Sequence, residues 1–375
     1  MKRREFLRSS ILTTAFLSMG GYSLANVDSK FKTKTDWPKR DDNWKYMGKK
    51  DTSSVKREKE YVFDVAVIGG GVAGLCAAVS AARHGAKTVL VQNRSVLGGN
   101  ASSEIHVPIN GSYHFKNKFG VDRETGIVEE IQLENRYYNV QNSWEVWDHV
   151  MYDYVTRQEN LTLMLNTQAM EAVMDGNSIK KAICFQMSTE SKIIINADIF
   201  IDCSGDGALA ASAGAEYRSG REGKAEFNEK YAPDEPDGWV MGDSIQFSSK
   251  DMGYPVPFNP PSFTIKYDPS KANKRTITQL SCGFWWVELG SDLDIVDVTE
   301  ENRHKLLGYL YGAWDYVKNS GKFPEAANLV LDWVGSVPGR RESRRFMGDY
   351  ILNENDLTKF THFDDAIAYL SLIHI

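Results

Sequence analysis

The hydrophobic pattern divides this chain into three stretches. Residues 62–68 form an apolar run broken only by Asp64, the pattern of a strand buried on both faces. Three glycines follow, and residues 75–83 then read as a helix rich in small side chains. A second apolar strand covers 88–91. Between 160 and 201 short apolar runs alternate with turns, predicting strands at 161–165, 182–187, 192–195 and 198–201, with a turn at Asp175-Gly176-Asn177. An Ala-rich helix is expected over 208–213. Beyond Gly220 the pattern becomes mixed. Strands are expected at 239–241, 244–247 and 284–288. A long helix is expected over 300–318, with Leu306, Leu307, Leu310, Trp314 and Val317 on its apolar stripe. This alternation predicts an α/β protein: a Rossmann-like first domain over 61–220 with an inserted β-meander, and a second mixed α/β domain over 221–375.

The first strand, glycine loop and helix contain Gly69-Gly70-Gly71-Val72-Ala73-Gly74. A G-x-G-x-x-G between a strand and a helix is the dinucleotide-binding fingerprint. Gly69 permits the tight turn, Gly71 lets the backbone approach a pyrophosphate, and Gly74 lets the helix lie close to the sheet. The phosphates would sit near Ala73 at the helix N-terminus, where free N–H groups favour negative charge. The second strand normally ends in an acidic residue that binds a ribose hydroxyl. Here Gln92 stands in that place, followed by Asn93 and Arg94. Gln92 and Arg94 are therefore candidate cofactor contacts.

A glycine doublet follows in Leu97-Gly98-Gly99-Asn100-Ala101-Ser102-Ser103. It offers a second close backbone approach, with Asn100, Ser102 and Ser103 as polar partners. A third strand–glycine–helix element appears at Cys203-Ser204-Gly205-Asp206-Gly207, where Gly205 and Asp206 are candidate cofactor contacts. The plainer reading of Asp206 is a helix cap.

On these residues the chain resembles FAD-dependent oxidoreductases with a glycine doublet after the second strand. The GGN-x-S form is similar to that of fumarate-reductase-type flavoproteins and of a family of exported bacterial FAD-dependent oxidoreductases within the heterodisulfide-reductase-A-like flavoproteins. The resemblance covers about residues 60–369 and implies FAD as cofactor. It also implies hydride transfer from a small polar substrate, such as a sugar or sugar acid, to flavin N5. Two other classes are compatible with the motifs: a lyase or isomerase that retains FAD unconsumed, and an exported glycan-binding protein with a vestigial nucleotide fold. The resemblance extends through Phe363–Tyr369. Residues 370–375 depart from it, which leads to the expectation of a C-terminally truncated chain.

The segment Pro338-Gly339-Arg340-Arg341-Glu342-Ser343-Arg344-Arg345 concentrates charge between glycines and resembles a G-x-R-E-S-R-R block of the same family. A cation near the flavin stabilises the reduced ring, and an arginine can clamp a carboxylate bidentately. Arg341, Glu342 and Arg344 are the candidate catalytic residues there, against a structural Arg–Glu network as the alternative. His106, with His114 behind it, is a candidate general base. Trp144, Trp147 and Asp148 read as packing residues of a helix.

Charge is distributed unevenly. Residues 1–60 carry 15 Lys/Arg against 8 Asp/Glu, while the remainder carries 29 against 42. An acidic folded part argues against nucleic acid as partner. The basic start, Lys2-Arg3-Arg4-Glu5-Phe6-Leu7-Arg8, resembles a twin-arginine signal. The apolar stretch behind it is short for a membrane span, and Ser23-Leu24-Ala25 fits a cleavage site. Residues 1–25 are thus expected to be a signal peptide, 26–60 a polar linker, and the product periplasmic or otherwise extracytoplasmic. The four cysteines share no C-x-x-C spacing, so no metal site is expected. Of them, Cys203 alone lies in a proposed cofactor loop. An electron acceptor is implied, but no residue pattern points to its chemistry.

Overall fold

The computed structural model describes residues 57–109, 116–117, 120–121, 124–272, 277, 279–283 and 287–366. The signal-like segment, the linker up to residue 56, His114, the aromatic run 284–286 and the tail from 367 lie outside the described residues.

The first apolar run becomes β1 (Arg57–Ile68), followed by helix α1 (Val72–Arg83) and strand β2 (Thr88–Val91). Helices α2 (Gly126–Tyr138) and α3 (Trp144–Thr156) come next. Strands β3 (Leu161–Met164), β4 (Thr167–Asp175), β5 (Ser178–Gln186) and β6 (Ser191–Asp202) complete the sheet, and a short helix α4 (Ala208–Ser212) follows it. β1 begins inside the segment expected to be linker. Arg57–Tyr61 pair in parallel with Ser191–Ile195, so the ladder runs five residues beyond the point where the apolar pattern stops. Their side chains are exposed, which is why hydropathy did not reveal them. The two short strands expected at 192–195 and 198–201 are one continuous strand, β6. β4 was not anticipated, because its burial is irregular and two register shifts interrupt its pairing with β5.

The six strands are hydrogen-bonded in the order β3-β2-β1-β6-β5-β4. β3, β2, β1 and β6 are parallel; β5 is antiparallel to both its neighbours, β6 and β4. β3 and β4 lie at opposite ends of this order, yet only two residues, Leu165 and Asn166, join them. A flat six-stranded sheet would hold its edges about 24 Å apart. Two linking residues reach about 10 Å. The sheet must therefore fold over and lay the β4–β5 meander on one face of the parallel strands. The buried cluster there confirms this: Ala169 and Ala172 of β4 and Ala182 and Cys184 of β5 pack with Ala66, Ile68, Val89 and Val91. The small side chains let the layers approach. The opposite face carries helices, where Leu75, Ala78 and Val79 of α1 and Val150, Met151 and Tyr154 of α3 meet Val65, Val67 and Leu90. β1 is thus apolar on both faces because both are covered. This is a Rossmann-like α/β fold with helices on one side and a meander on the other.

A third core lies beyond residue 240. Helix α5 (Thr299–Asn319) presents Leu306, Leu310, Trp314 and Val317 to Ile245, Phe247 and Val287. Strands β7 (Phe247–Asp251) and β8 (Leu329–Val334) pair antiparallel beside it. Residues 239–241, expected as a strand, have no ladder. Their N–H groups go to Asp237 Oδ1, the Ser291 carbonyl and Glu342 Oε2, and Trp239 is exposed. The glycines on either side, Gly238 and Gly242, end any extended run there.

Candidate functional site

Three loops meet at the carboxyl end of the parallel strands, where open α/β sheets place their ligands. They follow β1 (69–71), β2 (92–101) and β6 (203–207). Backbone hydrogen bonds knit them together. Gly69 N–H donates to the Val91 carbonyl at 2.7 Å, Cys203 N–H to the Ile68 carbonyl at 2.7 Å, and Gly98 N–H to the Gly70 carbonyl at 2.8 Å. Gly71 and Gly98 also form a parallel bridge. The doublet therefore lies directly on the first glycine loop.

The glycines have separable reasons. Gly74 sits under the first turn of α1, and a Cβ there would fall 1.8 Å from the Gly69 carbonyl oxygen, so close helix–strand contact excludes a side chain. Gly69 has φ +106°, and a Cβ would collide with the Cys203 carbonyl. Gly71 is different. Its φ is −62°, open to any residue, and a Cβ would meet nothing within 4 Å. Among the described residues no contact demands glycine there; a ligand filling that open space would. The same end of α1 has no side-chain cap and no acidic residue in its first turn. Exposed Ala73 leaves the N-terminus uncovered. A diphosphate fits this cradle: open, positively polarised and lined by backbone N–H groups.

The candidate side chains divide. Gln92 is buried, and its carboxamide is engaged inward. Gly70 N–H donates to its Oε1 at 2.9 Å, and its Nε2 donates to the Val96 carbonyl at 3.0 Å. The expectation that it binds ribose gives way to a brace between two loops. Ser102 is fully buried and donates to the Gly99 carbonyl at 2.7 Å, so it shapes the doublet from within. Ser103 turns toward α3, its N–H donating to Asp148 Oδ1 at 3.0 Å. Arg94 stays largely exposed at the end of β2, 3.8 Å from Glu104. Asn100 reaches across to the arginine block, donating to the Arg340 carbonyl at 2.7 Å. Gly205 has φ +86° with open space above it. Asp206 does not cap α4. Ser204 Oγ accepts from Ala208 N–H, and Asp202 accepts from the N–H groups of Ser204 and Ala210. That leaves the Asp206 carboxylate for Arg340.

The arginine block is a set of struts. Arg340, which was not among the candidates, is its centre. Its Nη1 donates to Asp206 Oδ2 at 2.7 Å, its Nε to Asp243 Oδ1 at 3.1 Å and its Nη2 to the Ile295 carbonyl at 3.0 Å. Burial opposes its charge, but the two carboxylates outweigh that and raise its pKa. Asp243 is completely buried; burial pushes its carboxyl up and Arg340 pulls it back. Arg341 donates to Glu288 Oε2 at 2.5 Å. Glu342 accepts from the Met241 N–H at 2.7 Å. Arg344 donates to the Asp206 carbonyl at 3.1 Å and lies over the Tyr217 ring. Each of the three candidate catalytic residues is thus hydrogen-bonded to a protein partner.

His106 lies between two indoles, its ring centroid 4.7 Å from Trp144 and 3.5 Å from Trp333, both nearly parallel to it. Its backbone is left-handed, with φ +64°. Its Nε2 is buried without a hydrogen-bond partner. Burial pushes the imidazole down to about 4, with Glu145 and the Ser103 backbone only partly opposing. A base that weak, with an enclosed ring, does not suit proton abstraction at neutral pH. The general-base expectation is corrected to an aromatic spacer. Trp147 and Asp148 are more than packing. The Trp147 indole N–H donates to the Ala101 carbonyl at 2.7 Å, and both residues hold the doublet loop from α3. Cys203 is half-buried, and burial raises its thiol pKa.

The family described as FAD dependent oxidoreductase matches residues 64–373, and the chain belongs to it. FAD is the cofactor of that family, and the open cradle at Gly71 accommodates its diphosphate. A curated relative, the soluble pyridine nucleotide transhydrogenase of Hahella chejuensis, is 40% identical over 55 residues, 15% of this chain and 12% of that protein. The chain therefore spans only a small part of that relative. Among solved structures, an L-proline dehydrogenase from P. horikoshii is 21% identical over 40% of this chain and 24% of its own, with TM-score 0.26. A geranylgeranyl bacteriochlorophyll reductase-like protein from Thermoplasma acidophilum is 14% identical over 55% of this chain and 52% of its own, with TM-score 0.32.

Proposed function

We propose that this chain is a redox flavoenzyme that oxidises a small polar substrate, a sugar or sugar acid, with FAD held across the three loops. The observation that carries the reading is Gly71: a glycine that neither its own φ nor any neighbour among the described residues requires, facing open space at a helix N-terminus without a side-chain cap. Bound FAD would supply a two-electron acceptor for hydride removal from a substrate carbon. In this reading Gly69, Gly71, Gly98 and Gly99 give backbone access to the cofactor. Gln92 and Ser102 hold those glycines in place, and Arg340 and Arg344 fix the Gly205–Asp206 turn. The glycine doublet supports placing the chain with the heterodisulfide-reductase-A-like flavoproteins. The test is the visible spectrum of the protein after incubation with FAD and desalting. Bands of protein-bound oxidised flavin that bleach with dithionite, and again with substrate, are expected. A colourless protein that retains no FAD sinks the reading.

Export through the twin-arginine route belongs to the same proposal. It is supported by Arg3-Arg4 followed by Phe6-Leu7, and by the fit of that route to proteins folded around a cofactor. Among the described residues no helix is long and apolar enough to cross a membrane. Replacing both Arg3 and Arg4 by Lys should trap the protein in the cytoplasm on fractionation; unchanged export would exclude that route.

A further inference from the structure

We infer that the chain carries a second binding site beside the doublet loop, a cavity that takes an uncharged polyhydroxylated ligand with the chemistry of a saccharide ring. The cavity has a volume of about 370 Å³ and lies between α2, the start of α3 and the segment after His106. That is within the ~300–1,000 Å³ of small-molecule sites. Its walls hold four carboxamides, Gln132, Asn135, Asn139 and Asn142, and two indoles, Trp144 and Trp147. Among the described residues that line it there is no Lys, Arg, Asp, Glu or His.

This composition selects a ligand class. A carboxamide both donates and accepts, as each hydroxyl of a polyol does. Indoles cover the C–H faces of a sugar ring. A phosphate, a carboxylate or an amine would enter without a counter-charge and lose hydration uncompensated. The site therefore favours neutral over charged sugars. It is argued from its own walls and does not rest on the flavin reading.

The walls are also set before any ligand arrives. Asn139 is buried, and its amide donates to Asn135 Oδ1 at 2.8 Å and to the Ser143 carbonyl at 2.7 Å, while its oxygen accepts from Ser143 N–H at 2.9 Å. That ties the end of α2 to the cap of α3. Trp144 is fixed by its stack on His106, and Trp147 by its bond to the Ala101 carbonyl. The side chains of Gln132 and Asn142 have no hydrogen-bond partner among the described residues, so they remain to meet a ligand. A rigid wall with a few unspent polar groups loses little entropy on binding.

Calorimetric titration of the full chain, with and without added FAD, tests this. The probes are glucose, galactose and maltose, with glucuronate and glucose 6-phosphate as charged counterparts. At least one neutral sugar should bind with a millimolar or tighter Kd, and the charged ones at least about ten-fold more weakly. Gln132→Ala and Asn142→Gly should each weaken binding about ten-fold with unchanged thermal unfolding; glycine is used at 142 because its φ is +53°. The proposal is overturned if no neutral sugar binds, if charged sugars bind equally well, or if both variants bind as the parent does. Sugar binding by a chain that retains no FAD would sink the flavoenzyme reading and leave this one standing.

Discussion

Gly71 and Gly74 stand three residues apart and answer to different constraints, which makes them separable by substitution. Gly74→Ala would drive a methyl to 1.8 Å from the Gly69 carbonyl oxygen, so helix and strand must part. A loss of about 1–3 kcal/mol or more is expected on denaturant unfolding. Gly71→Ala adds a methyl to open space at an ordinary φ. Its unfolding without cofactor should match the parent, while FAD retention falls at least about ten-fold. Equal FAD affinity for parent and Gly71→Ala would show that the open space is not the cofactor's. His106 supports a pH prediction. Its folded pKa, about 4, lies below its ordinary 6.5, so the folded state binds fewer protons in that window. The contribution is present above the unfolded value and is lost as pH falls toward 4. The groups facing the ring are Glu145, the Ser103 backbone, Trp144 and Trp333. Melting curves of the parent should drop more steeply between pH 6.5 and 4 than those of His106→Phe. Parallel curves would mean the imidazole is not held neutral.

At the scale of elements, the site depends on how β1, β2 and β6 deliver their loops to one edge. Gln92 is the brace, since it satisfies the N–H of buried Gly70 and grips the Val96 carbonyl. Gln92→Ala leaves that N–H without its partner, and a destabilisation of about 1–3 kcal/mol is expected from the lost hydrogen bond. Gln92→Glu keeps the acceptor for Gly70 but gives up the donor to Val96. Unfolding midpoints should therefore rank parent above Glu above Ala, and an Ala variant as stable as the parent would refute the brace. The end of β2 was legible in the sequence as a place where a functional group belongs. The direction in which Gln92 points was not, because it depends on Gly70 and Val96, residues on either side of the turn. The start of β1 was hidden for a similar reason. Its exposed residues are held by pairing with β6, whose partners lie more than a hundred residues away.

For the whole molecule, Arg340 is the junction. It joins the Asp206 turn, the buried Asp243 and the Ile295 carbonyl, and its own carbonyl receives Asn100 from the doublet loop. Arg340→Met should cost about 3–5 kcal/mol, because two carboxylates lose their partner and one of them is wholly buried. Adding Asp243→Asn to that variant should recover part of the loss; no recovery in the double variant would refute the charge pairing. The amino-acid sequence by itself determined the strand–glycine–helix start, the doublet, the third glycine turn and the stripe of α5. Each of these depends on local periodicity or on a backbone conformation open to few residues. Tertiary structure alone decided that the meander folds over the parallel strands, because a two-residue link must reach between the sheet's edges. It likewise decided that His106 is enclosed by two indoles, and that Arg340 rather than its neighbours bridges the Gly205–Asp206 turn to the rest. Charge and hydropathy mark which side chains can act, but burial and the partners brought by distant segments decide which remain free to do so.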